Sequence, residues 1–110
     1  MDFLIQRFSM WLRNSGFPHE LIQVKGGYIL QFIEPDEDLK KLISSLFITI
    51  DTGEEDATTK MAKYKPVNIF TSSGDAIVIE YKHAAEILNT IQPVIRDYAI
   101  KKFNKEIRGY

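Results

Sequence analysis

The chain contains no cysteine. A disulfide framework, a cysteine nucleophile and a thiolate zinc site are therefore excluded. Histidine is scarce, with only His19 and His83, and neither has a second ligand at metal-binding spacing. Charge of one sign is not in excess: 14 Lys and Arg stand against 15 Asp and Glu, a net charge of −1. Counterion release needs a strongly cationic surface, so a protein that coats nucleic acid by charge alone is not expected. No apolar run approaches the ~20 residues that span a bilayer. The opening MDFLIQRF places an acid where a secretory leader carries a base. The expected setting is soluble and cytoplasmic, with no membrane partner. Internal repeats and low-complexity tracts are also missing.

What is present is an ordinary globular composition, 45% apolar and 26% charged over 110 residues, the size of one domain. Leu4, Phe8, Trp11 and Ser15, with Ile5 and Leu12 alongside, repeat at helical spacing after a capping Asp2. Gly16 suits the residue just past the helix, Phe17 can pack back on its last turn, and Pro18 stops it. LIQV and YILQFI then flank Gly26-Gly27, which predicts a hairpin closed by Lys25 and Tyr28. In that hairpin Ile22, Val24, Ile29 and Ile33 share one face, and Leu21, Tyr28, Leu30 and Phe32 the other. Both faces are apolar, so each needs a cover.

EPDEDLKKLISSLF predicts a second helix with Pro35 at its first position, acids in its first turn, and Leu39, Leu42, Ile43 and Leu46 along one stripe. A strand from Leu42 onward is the alternative. FITID reads as a strand with Ile48 and Ile50 on one face, and TGEEDATTKMAK as a polar connection. VNIFT and AIVIEY predict a second hairpin around Ser72 to Asp75. The remainder is a helix whose stripe runs through Ala84, Leu88, Ile91, Ile95, Tyr98 and Lys102, extended by Phe103 and Ile107, with Pro93 kinking or dividing it. The expected fold is a single α+β domain over residues 1–110: an antiparallel sheet of about five strands in the order α-β-β-α-β-β-β-α, with helices packed on the sheet. The same order of elements occurs in dimerising scaffold domains of the roadblock and longin type, an analogy of topology that no motif in the chain extends.

The most suggestive motif is Glu80-Tyr81-Lys82. A Glu-x-Lys on a strand is half of a metal-dependent nuclease site of the PD-(D/E)xK type, in which acids hold Mg²⁺ and the lysine orients the attacking water. On a strand, Glu80 and Lys82 point to one face. The second acid is missing where the pattern needs it, because Pro66 is followed by Val67 and Asn68. Asp75 sits too far along the strand, which leaves Asp51. The ordinary alternative is a charged strand edge that deters pairing.

Lys101, Lys105 and Arg108 form a cationic stripe at i, i+4, i+7 of the last helix. It suits nucleic acid or an acidic protein, or simply a solvated helix C-terminus. Residues 34–56 hold eight acids against two lysines, so this basic end could also meet the acidic region of a second subunit. Ser72-Ser73-Gly74 is not a nucleophile elbow, and Gly26-Gly27 is not a phosphate loop.

The expected function is a small non-enzymatic protein-interaction module acting as a homodimer or adaptor subunit, its contact made by Leu21, Tyr28, Leu30 and Phe32 or by the first and last helices. No cofactor is expected. The alternatives are an Mg²⁺-dependent nuclease using Asp51, Glu80 and Lys82, and a nucleic-acid binder using the C-terminal helix.

Overall fold

The computed structural model describes residues 2–48, 53, 55–68 and 73–108, the side chains of 2 and 105–108 excepted. Among them the order is α1 (Asp2–Asn14), β1 (His19–Val24), β2 (Gly27–Phe32), α2 (Glu37–Leu46), α3 (Ala57–Ala62), β3 (Ala76–Glu80) and α4 (Ala84–Arg108). The fold is α+β, with an antiparallel three-stranded sheet in the order β1-β2-β3. Three of the five expected strands appear among the described residues. Val67 and Asn68 lie in turns, and Ile48 follows the end of α2 without entering a strand. The rest of the two expected strands, 49–51 and 69–71, lies outside the described residues. Among the described residues the order of helices and strands is thus α-β-β-α-α-β-α.

α1 ends as its sequence predicts. The Phe17 N–H donates to Leu12 O (2.9 Å) and the Gly16 N–H to Arg13 O (3.2 Å), the paired bonds of a Schellman motif. Its buried stripe is turned by about one position from the expected one, running through Ile5, Phe8, Ser9 and Leu12.

The hairpin has a different register from the expected one. Val24 pairs with Gly27, Ile22 with Ile29 and Leu21 with Leu30, so the turn is Lys25-Gly26. Only Gly26 has positive φ (82°), the pattern of a type II turn instead of type I′. The reason is tertiary. A Cβ on Gly27 would lie 2.2 Å from the Ile79 carbonyl oxygen, so this glycine is needed inside the strand, where β3 presses against it. The slip is by two residues, which preserves parity, so each side chain keeps the face-mates assigned from sequence.

β2 is the central strand. Tyr28 pairs with Ile79, Ile29 with Val78, and Leu30 with Ile77. The face carrying Tyr28, Leu30, Phe32, Ile77 and Ile79 is buried, and Leu21 packs against the same cluster. Ile5, Phe8 and Leu12 of α1, Leu39, Ile43 and Leu46 of α2, and Ile87, Ile91 and Ile95 of α4 complete the core. Burying each such side chain is worth about 1.5–3 kcal/mol against leaving it in water.

α2 begins two residues later than expected, at Glu37. Asp36 is its N-cap, accepting from the Leu39 N–H at 2.7 Å, and Pro35 precedes the cap. The strand alternative from Leu42 is thereby excluded. The connection expected after it contains α3, capped by Asp56 and anchored by the fully buried Met61. α4 runs without a break through Pro93. The carbonyl that this proline leaves without a donor belongs to Asn89, and both residues lie on the exposed side, where water can serve it. No helix among the described residues is long and apolar enough to cross a membrane.

The register makes a test. Gly27→Ala should lower unfolding free energy by about 1–3 kcal/mol through overpacking against the β3 backbone. Gly26→Ala should cost about 1 kcal/mol, from its positive φ alone. Urea denaturation of both variants measures the difference, and the two costs would be alike if the turn were Gly26-Gly27, where both residues take positive φ.

Candidate functional site

The Glu80–Lys82 pair does not sit as a strand motif. β3 ends at Glu80 and the chain enters a 3-10 turn, Tyr81–His83, so Lys82 leaves the strand before it can share a face with Glu80. Its Nζ lies 3.7 Å from Glu80 Oε2 as a surface ion pair. Asp51 lies outside the described residues. Among those described, no three His, Cys, Asp or Glu gather closely enough to hold a metal ion. Asn68, which follows Val67 where the second acid is missing, is buried and otherwise employed. Its Oδ1 accepts from the Val78 N–H (2.7 Å) and its Nδ2 donates to Tyr64 O (3.2 Å).

His83 packs beside Tyr64, ring centroids 5.2 Å apart. The Tyr64 hydroxyl donates to Glu86 Oε2 (2.5 Å) and Lys63 donates to Glu86 Oε1. Lys63, then Tyr64, hold the Glu86 carboxyl below its ordinary range; Glu86 in turn raises Lys63. Burial, reinforced by the Glu86 bond, pushes the Tyr64 phenol up. These three groups tie α4 to the end of α3.

One polar pair was missed by the sequence reading. His19 Nδ1 lies 2.7 Å from Phe17 O, and its Nε2 lies 2.6 Å from Ser9 Oγ. A carbonyl can only accept, so Nδ1 carries the proton, and Nε2 of the neutral ring accepts from the serine hydroxyl. A serine on a histidine held by a third group has the form of an activated nucleophile. Ser9 and His19 are only 5% and 8% exposed, however, so the pair closes α1 onto the start of β1 with its polar atoms satisfied. The available signal was Ser9 itself, a small polar residue inside an apolar stripe.

One cation of the last helix, Lys102, is answered within its own chain. Asp36 Oδ2 accepts from the Tyr98 hydroxyl (2.5 Å) and from Lys102 Nζ (2.9 Å), while Oδ1 caps α2. Burial raises the Asp36 pKa, but the Tyr98, Leu39 and Lys102 donors outweigh it and bring the value down to about 2. The acidic start of α2 therefore meets the basic half of α4 inside one protomer, at Asp36. Lys101 is exposed beside this contact, and Lys105 and Arg108 belong to the last turns of α4.

The interface residues expected from sequence are on the wrong side of the sheet for that role. Tyr28, Leu30 and Phe32 are buried and Leu21 is packed against them, because α1, α2 and α4 cover this face. The opposite face carries Glu20, Ile22 and Val24 of β1, Gly27, Ile29 and Gln31 of β2, and Ala76, Val78 and Glu80 of β3; Glu20 and Ile22 are exposed on it, Val24, Ile29, Gln31, Val78 and Glu80 half-buried, and Gly27 and Ala76 buried. Ile22, Ile29 and Val78 stand directly opposite one another and form one apolar row across all three strands. Ile22 is 44% exposed, and Ile29, Val78 and Val24 are half-buried.

Two tests bear on this geometry. Ser9→Ala should cost about 1–3 kcal/mol, since it leaves the buried Nε2 unpaired. A Ser9→Ala/His19→Phe double variant should cost less than the sum of the singles in urea denaturation. Asp36→Ala should cost about 1 kcal/mol at pH 7 as a lost cap, with little added by the solvent-exposed Lys102 pair. Because the folded-state pKa of Asp36 is depressed to about 2, its contribution is fully present above about pH 4 and fades as pH falls toward 2. The wild-type and Asp36→Ala stabilities should converge over that interval. No family model, no curated protein and no solved structure matches the chain.

Proposed function

We propose that the chain is a small non-enzymatic protein-interaction module, working as a homodimer or adaptor subunit through the open face of its sheet. The supporting observation is the Ile22–Ile29–Val78 row. Three β-branched side chains in one line give a flat apolar centre, and Glu20, Gln31 and Glu80 give it a polar rim. That is the anatomy of a protein contact: an apolar middle depleted of charge, surrounded by groups that remain in water. Helices already occupy the other side of the sheet, so this face is where a partner finds uncovered apolar area within a domain too small to cover both sides.

Sedimentation velocity at micromolar concentration tests the proposal. The wild type is expected to self-associate or to co-purify with a partner. Ile22→Asp should weaken that association about ten- to a hundredfold, the equivalent of one buried isoleucine, with an unchanged circular dichroism spectrum. A monomeric wild type with no co-purifying partner would remove the support.

A further inference from the structure

The end of α4 poses a packing question. Residues 100–104 are all exposed, yet Ile100 and Phe103 among them are 51% and 60% exposed. Spaced i, i+3, they share one face of the helix. In proteins, helical stability comes mostly from packing an amphipathic face, and this stretch is tied to its own body through Lys102 and Asp36. The sequence expectation that Phe103 continues the core stripe fails for this reason: the core ends before it.

We infer that the occupant of the open sheet face is the α4 end of a second copy of the chain, exchanged reciprocally about a two-fold axis. The inference rests on the sheet-face reading above and names its partner. The chain's own α4 cannot make this contact, because Ile87, Ile91 and Ile95 hold it in the core on the opposite side of the sheet. The dimensions agree: residues 99–108 span about 15 Å of helix, and three strands are roughly 15 Å wide. So do the charges. The nine positions of the open face hold Glu20 and Glu80 and no base, whereas residues 99–108 hold four bases and one acid. Lys82 is already near Glu80, but an exposed ion pair is worth little and is readily exchanged. Area favours the exchange over two sheets laid face to face. A face of roughly 15 by 20 Å, about 300 Å², falls well short of the ~800 Å² per partner in a stable interface. Reciprocal docking gives each protomer two contacts, one through its sheet and one through its helix.

The absence of cysteine makes the test clean. Ile29→Cys and Phe103→Cys proteins, each checked by circular dichroism, are mixed in equal amounts and oxidised mildly. The expected main product is the mixed 29–103 disulfide, which requires the two Cα atoms to come within about 7 Å. A dominant 29–29 product means sheets meeting face to face; it overturns this inference and leaves the sheet-face reading standing. A dominant 103–103 product, or a dimer that does not cross-link, overturns it as well. A monomeric wild type removes both. As a second measurement, Phe103→Glu should raise the dimer dissociation constant at least tenfold. Wild-type affinity in Phe103→Glu, beside lost affinity in Ile22→Asp, overturns the helix as occupant and keeps the sheet face.

Discussion

The pairing of β2 with both neighbours is the constraint on which everything else in this fold depends. Its side chains alternate between a face sealed by three helices and a face that is not. A slip of one residue would carry Tyr28, Leu30 and Phe32 out of the core and Ile29 into it. The lock on that register is steric. The β3 backbone approaches Gly27 so closely that no side chain fits there, and the Tyr81 N–H donates to Gly26 O beside it (2.9 Å). At the other end of β2, the Phe32 N–H donates to Asp75 O (2.8 Å). With both ends pinned, the sheet presents Ile22, Ile29 and Val78 in one line.

The parts of this arrangement legible in the sequence are those decided locally. The close of α1 needs only Leu12, Arg13, Gly16 and Phe17, all within six residues, and it forms as read. The faces of the hairpin were legible because alternation has a period of two. The turn was not, because either Lys25-Gly26 or Gly26-Gly27 closes a plausible loop, and the choice is made by a strand some fifty residues away. α3 escaped notice because a short polar helix with one buried residue, Met61, leaves no periodic trace. The interface residues were misplaced for a related reason. Periodicity reports that Leu21, Tyr28, Leu30 and Phe32 belong together, but not which of two apolar faces the chain's own helices will take.

Charge shows the same limit. The acidic stretch 34–56 and the basic end of the last helix could meet across two subunits; within one protomer the fold already joins them at a single point, Asp36 with Lys102. Asp36 serves as helix cap, ion-pair partner and acceptor for Tyr98, more than sixty residues away in the chain. No local pattern announces such a convergence. Nor does any announce that His19 and Ser9, on different elements, will satisfy one another.

The buried amide of Asn68 has a consequence for how the sheet can grow. By taking the Val78 N–H it occupies a backbone donor that an incoming strand would use, so addition on the β3 side must first evict it. Among the described residues, the outer edge of β3 thus has a backbone donor at its centre already engaged by its own chain.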